Sequence, residues 1–274
     1  MKRTVVLPTG REKDILMDIT SLDSDPEGIV IFCHGYKGYK DWGAWNLVAE
    51  EFAHKDFTFI KLNFSHNGGT IQNPIDFPDL EAFGNNTYSK EVADLNSVIA
   101  WSNKEFDAPI YIIGHSRGGG IVTLVAGRNL NVSKVISWAA VADFKERFPV
   151  GEKLQEWKDK GVDYVLNGRT KQEMPHYYSF YEDFIKNEMN LTISKAAKRI
   201  RVPHLIIHGD KDEAVSVKDA HRLSSFNPKA ELEIILGANH TFGSKHPWNE
   251  HFLPDSLREV VDKTINFINS SNKL

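Results

Sequence analysis

The chain has 274 residues, 41% of them hydrophobic and 26% charged, with a formal net charge of −4 and a single cysteine. These figures describe an ordinary globular protein and exclude a disordered, collagenous or disulfide-stapled chain. The slight acidity gives no pull toward nucleic acid or an anionic membrane, so neither is expected as a partner. The lone thiol of Cys33 fits a reducing compartment. The apolar run after the basic start spans only Val5 to Leu7, too short for a signal peptide, and no run reaches membrane-span length. The expected location is the cytoplasm.

In chain order, "RTVVL" and "DILMDIT" flank "PTGREK" and read as a hairpin. After the turn "DSDPEG" comes "IVIFC", residues 29 to 33, a continuous apolar run of the kind found in strands buried on both faces. Residues 44 to 55 have a helical pattern, and "FTFIKLNF", 57 to 64, reads as a strand. In 89 to 105, Val92, Leu95 and Ile99 give one apolar helix face, with Ser89 as a possible N-cap. "PIYIIG", a helix over 117 to 128 and "VSKVISW" continue the alternation. "PHLIIH", a helix near 216 to 225, "ELEIIL" and a last helix over about 254 to 269 complete it. That last helix carries its apolar face on Leu257, Val261, Ile265 and Ile268, and only the tail "NSSNKL" is expected to fray. Strands alternating with helices predict a mostly parallel sheet covered on both sides. Residues 143 to 197 break the rhythm and read as an insertion on a single domain, with an Asn-Gly turn between two candidate strands.

"YIIGHSRGGGIVTLVAG", 111 to 127, concentrates glycine around Ser116 between a strand and a helix. Gly114 and Gly118 remove side chains that would collide in so tight a turn, and Gly119 and Gly120 let the helix pack closely on the sheet. This G-x-S-x-G pattern in strand–helix context is a nucleophile elbow. No phosphate-binding G-x-G-x-x-G or G-x-x-x-x-G-K-[ST] pattern is present. A serine hydroxyl needs a base, and in this arrangement the order is Ser, acid, His. His240, in the loop after "ELEIIL", lies at the carboxyl end of a strand, with His246 and His251 as alternatives further along. His204 and His208 read as structural and His221 as a helix-surface residue. The acid comes from "HGDKDEAV": Asp212 has the reach of a short loop, while Asp210 can instead tie the turn. The oxyanion donors are expected in the backbone N–H groups of Arg117 and Tyr36, with Gly35 permitting close approach and His34 able to order the loop. The Arg117 side chain reads as a solvated helix residue, and Cys33 as buried and inert.

"HGYKG", "GHSRGG", "HGDKDEAV" and "NHTF", in this order, make the chain resemble the α/β-hydrolase superfamily, and within it bacterial cinnamoyl (feruloyl) esterases and dienelactone-hydrolase-like esterases. The resemblance runs from about residue 29 to the C-terminus. It implies an α/β-hydrolase fold with a mostly parallel central sheet and an inserted cap. It also implies a triad of Ser116, Asp212 and His240, with Tyr36 and Arg117 as oxyanion donors, and no metal or cofactor. The activity expected is hydrolysis of small carboxylic esters through an acyl-enzyme. A small-peptide or acyl-peptide peptidase is the nearest alternative; a silent ligand-binding protein is disfavoured by the full set of catalytic parts. Among the cap aromatics Tyr177, Tyr178, Phe180, Tyr181 and Phe184, one or two are expected to line the substrate pocket and the rest to hold the cap in place.

Overall fold

A computed structural model describes residues 1–270. The chain runs β1 (Lys2–Leu7), β2 (Ile15–Thr20), β3 (Gly28–Cys33), α1 (Trp45–Ala53), β4 (Phe57–Asn63), α2 (Leu80–Gly84), α3 (Tyr88–Glu105), β5 (Ile110–His115), α4 (Arg117–Ala126) and β6 (Lys134–Trp138). Then come α5 (Glu152–Lys160), β7 (Val162–Leu166), β8 (Glu173–Tyr177), α6 (Ser179–Leu191) and α7 (Ile193–Ala197). The alternation resumes with β9 (His204–Gly209), α8 (Val217–Phe226), β10 (Glu231–Ile235) and α9 (Asp255–Asn269). Of the tail expected to fray, Asn269 closes α9 and the Ser270 N–H donates to Asn266; residues 271–274 lie outside the described residues.

Eight strands form one sheet in the order β1-β2-β4-β3-β5-β6-β9-β10. β2 runs antiparallel to both neighbours and all other pairings are parallel. The continuous apolar runs have a direct cause. In β3, Ile29, Ile31 and Cys33 face one core while Val30 and Phe32 face the other; in β5, Ile110 and Ile112 oppose Tyr111 and Ile113. With period-two side chains and both faces covered, every position of these strands is buried. α1 and α9 cover one face, and α3, α4 and α8 the other. The four predicted apolar residues of α9 are all buried. No helix among the described residues is long and apolar enough to cross a membrane.

Two local expectations are corrected. Thr87, not Ser89, caps α3: Thr87 has extended backbone and its hydroxyl accepts from the Lys90 N–H at 3.2 Å, whereas Ser89 already lies inside the helix. The β7–β8 pair is antiparallel, but residues 167–172 join it, too long a connection for a two-residue turn. Asn167 organises that loop instead, its Oδ1 accepting from the Arg169 N–H at 3.1 Å and its carbonyl from the Lys171 N–H at 2.8 Å.

A close contact between helix and sheet is at Gly118, in the first turn of α4, where a Cβ would lie 2.4 Å from the Cys33 carbonyl oxygen and 2.7 Å from that of His34. Backbone atoms cannot yield there. Gly118→Ala is expected to cost about 3 kcal/mol, read as a lowered urea midpoint. Gly168→Ala, where a Cβ meets nothing within 4 Å, is expected to leave the midpoint unchanged.

Candidate active site

Ser116 joins β5 directly to α4 with φ 57° and ψ −117°. A non-glycine residue adopts this backbone only when its surroundings hold it there. The Ser116 N–H donates to the Trp138 carbonyl at 2.8 Å, which pins the turn to β6. A Cβ on Gly114 would lie 2.1 Å from the Gly118 carbonyl oxygen, so the turn closes only with glycine at that position. Gly119 meets Ala140 just past β6, as expected of close helix–sheet packing. Gly120 has a different role: it faces Phe144 and Ile193, and so admits the segment that leaves β6 and returns through α7.

The parallel strands deliver the other groups to the same edge. His240 follows β10 and Asp212 follows β9. The Ser116 Oγ lies 3.0 Å from His240 Nε2, and His240 Nδ1 lies 2.7 Å from Asp212 Oδ2. With its proton on Nδ1, His240 donates to Asp212 and accepts from the serine hydroxyl. This is the geometry in which an imidazole can take the serine proton while the carboxylate holds its tautomer.

The Asp212 side chain is fully enclosed. Its Oδ1 accepts from the N–H groups of Ala214 at 2.9 Å and Val215 at 2.8 Å. His208 Nε2 lies 3.1 Å from Oδ2 and 2.9 Å from the Val215 carbonyl, and so bridges the carboxylate to its own loop. Burial by itself raises the Asp212 carboxyl. The hydrogen bonds from His208 and His240 and the Val215 N–H outweigh that and hold it well below the usual carboxylate range. Asp210 serves the turn: its Oδ1 accepts from the Gly237 N–H at 2.5 Å. His246 accepts from the Gly43 N–H at 2.9 Å, and His251 and His221 are exposed. His204 is buried, with Nε2 3.0 Å from the Ser137 hydroxyl.

Sequence reasoning missed the part played by His115. It is buried behind His240, and its Nε2 donates to the His240 carbonyl at 2.8 Å. Burial, and then the neighbouring His240, push it down to about 3, so it is a neutral strut at working pH. Its place next to the serine was visible, but its partner lies 125 positions away.

The loop after β3 lies against the serine. A Cβ on Gly35 would be 2.9 Å from Ser116 Cβ. His34 ties this loop to the end of β4, with Nδ1 donating to Gly35 O at 2.9 Å and Nε2 accepting from the Phe64 N–H at 3.3 Å. Burial lowers it to about 4, which keeps that neutral tautomer. Neither the Tyr36 N–H nor the Arg117 N–H donates to a protein acceptor among the described residues. The Tyr36 hydroxyl lies 2.7 Å from His176 Nε2, joining the loop to β8.

Ser116 and His240 border a cavity of about 490 Å³ with predominantly apolar walls rich in aromatic rings, among them Tyr88, Phe144, Phe148, Trp157 and Phe180. Of the aromatics singled out in the sequence, Phe180 alone lines it. Tyr177 instead packs on Gly84 and its hydroxyl donates to Glu81 at 2.5 Å, holding β8 to α2. Tyr178 packs edge-on and Tyr181 tilted against Trp157, and Phe184 is core against Phe148 and Tyr88. Tyr88, Phe144, Phe148 and Trp157 gave no sequence signal, because they come from three separate stretches that meet only in the fold. The Arg117 side chain is not solvated either. It is 15% exposed, 3.2 Å from the buried Glu91 carboxylate, and its guanidinium lies 4.8 Å from the Tyr36 ring centre and 5.2 Å from that of Tyr88.

An elbow serine after the fifth strand of this mostly parallel eight-stranded sheet, with helices on both faces, defines an α/β hydrolase. The chain belongs to the Hydrolase_4 family, described as serine aminopeptidase, S33, which matches residues 24–186. It is similar to a monoacylglycerol lipase of Mycolicibacterium smegmatis, 23% identical over 230 residues that span 76% of this chain and 79% of that protein. Its fold is similar to that of Est1E from Butyrivibrio proteoclasticus, at a TM-score of 0.72 and 18% identity over 97% of this chain and 99% of that one. A structure of Est1E with ferulic acid bound matches at a TM-score of 0.68 and 17% identity, over 97% and 100% of the two chains.

The two aspartates after β9 separate experimentally. Asp212→Asn is expected to lower kcat by about 10³–10⁴-fold, because the amide favours the wrong imidazole tautomer. Asp210→Asn is expected to keep kcat and lower the melting temperature through its turn bond, worth about 1 kcal/mol. Steady-state kinetics beside thermal melts check both.

Proposed function

We propose that this hydrolase cleaves carboxylic esters of small or aromatic acids, with Ser116 as nucleophile, His240 as general base and acid, and Asp212 as its orienting carboxylate. The observation that carries the reading is the hydrogen-bonded row from Ser116 through His240 to Asp212 at the mouth of an aromatic cavity. The Ser116 oxygen attacks the acyl carbon as its proton passes to His240 Nε2, and the backbone N–H groups of Tyr36 and Arg117 receive the developing oxyanion. His240 then protonates the departing alcohol, leaving an acyl-serine. Water, deprotonated by the same nitrogen, releases the acid and restores the hydroxyl. None of these steps calls on a metal or cofactor. The segment 143–197 acts as a cap and supplies Trp157 and Phe180 to the acyl cavity. The ferulic acid held by Est1E and the lipase similarity both agree with an ester substrate.

The family description favours a second reading, an aminopeptidase. A free amino terminus needs a carboxylate near the serine. Arg117 and Arg147 line the cavity, Glu91 is engaged by Arg117, and among the described residues Asp163 is the one acid on the walls, which favours the ester over an α-ammonium substrate.

Ser116→Ala is expected to abolish hydrolysis of p-nitrophenyl esters and labelling by a fluorophosphonate while leaving the melting temperature within about 2 °C of wild type, since little packing is lost. Retention of wild-type kcat would sink the mechanism. Phe180→Ala is expected to lower kcat/KM more for cinnamoyl than for acetyl esters, whereas Tyr178→Ala is expected to leave that ranking intact. Faster turnover of aminoacyl p-nitroanilides than of any ester would favour the peptidase.

A further inference from the structure

Ser116, His240 and Tyr36 also border a second cavity, of about 450 Å³, whose character is the opposite of the first. Its walls come from the loop after β3, the loop after His240 and the β7–β8 connection. Lys37, Arg169 and Lys245 line it, and among the described residues no Asp or Glu does. Lys37 is half-buried, held on a positive-φ backbone of 52°, with its ammonium 5.1 Å from the Tyr36 ring centre. Neither Lys37 nor Lys245 has a carboxylate within ion-pair distance among the described residues. Arg169 shares its charge with Asp76, 2.6 Å away, and lies over the Tyr39 ring.

The other titratable groups around this cavity do not cancel that charge. His34 and His115 are buried and neutral, and His246 is lowered by burial and then by Arg169. Asp41 lies nearby but is taken by Lys40 and Lys61, at 2.5 and 2.9 Å. Two ammonium groups without a carboxylate partner among the described residues, that of Lys37 half-buried and that of Lys245 exposed, on the wall of a cavity that reaches the serine, suit an anion delivered with the substrate.

The side of the serine on which they lie says which part of the substrate brings that anion. The leaving oxygen takes its proton from His240 Nε2, and Thr241, Ser244, Lys245 and His246, which follow His240, wall this cavity. The aromatic cavity suits the acyl chain. Resting on the ester-hydrolase reading above, we propose that the alcohol or thiol released carries a phosphate, so that the preferred substrates are acyl esters or thioesters of a phosphorylated carrier. Water and the acyl–oxygen or acyl–sulfur bond are consumed, and the phosphate leaves unchanged on its carrier.

Matched pairs test this on the intact enzyme at low ionic strength. The first pair is 1-hexanoylglycerol against 1-hexanoylglycerol 3-phosphate; the second is the hexanoyl thioester of N-acetylcysteamine against hexanoyl-coenzyme A. The phosphorylated member of at least one pair is expected to show a kcat/KM about tenfold higher. Which pair shows it tells a small polyol phosphate from a nucleotide-bearing thiol. The ratio, taken within each variant, is expected to fall several-fold in Lys245→Met and in Lys37→Met, and toward one in 0.5 M salt, roughly three times the physiological ionic strength. Ratios within twofold of one in both pairs, with p-nitrophenyl hexanoate still hydrolysed, overturn the phosphate and leave the esterase. A preference that both lysine variants retain overturns it as well. Failure of every ester together with no fluorophosphonate labelling of Ser116 sinks the ester-hydrolase reading and this one with it.

Discussion

The contact on which the site depends is the approach of α4 to the ends of β3 and β5. With glycine at 114 and 118, the helix reaches the sheet backbone itself, at the carbonyls of Cys33 and His34. That approach forces Ser116 into its positive-φ turn and brings Gly35 against its Cβ. Any side chain in this layer would lift the helix and part the serine from the loop after β3. The strained serine backbone is therefore held by packing on three strands rather than by its own preferences.

Around that turn the electrostatics are arranged by burial. His34 and His115 are kept neutral because no charge is affordable where they sit, and each uses its ring as a fixed hydrogen-bonding strut. Asp212 is the opposite case, a buried carboxylate kept ionised by backbone N–H groups and two imidazoles. The difference is one of partners: the carboxylate is saturated with donors, while the histidines have only neutral acceptors and donors to meet. His240, 18% exposed at the side chain, is the imidazole of this group that lines both cavities.

The segment between β6 and β9 closes on the sheet through polar as well as aromatic contacts. The Tyr36 hydroxyl meets His176, Trp157 Nε1 donates to the His176 carbonyl at 2.7 Å, and Tyr177 reaches Glu81. The wall of one cavity and the backbone beside the serine are thus parts of one connected layer. The two cavities that share Ser116 and His240 differ because this layer presents Trp157 and Phe180 to one and Asn167 and Arg169 to the other.

The sheet, its covering helices and the places of Ser116, Asp212 and His240 at strand ends were legible in the sequence, because period-two burial, glycine spacing and motif order are local or ordered along the chain. The N-cap of α3 was misplaced by two residues, since Ser89 and Thr87 carry the same hydroxyl and only the backbone angle tells them apart. What the tertiary structure alone decided is which side chains face which space. Arg117 looked like a solvated helix residue, yet Glu91 and three aromatic rings enclose it, all brought from other elements. Tyr177, Tyr178 and Phe180 are near neighbours in one short stretch, and they turn to α2, to Trp157 and to the cavity, respectively. A composition rich in aromatics predicts that some will line a site; the direction of each depends on helix phase and on partners up to a hundred residues away, which no local pattern encodes.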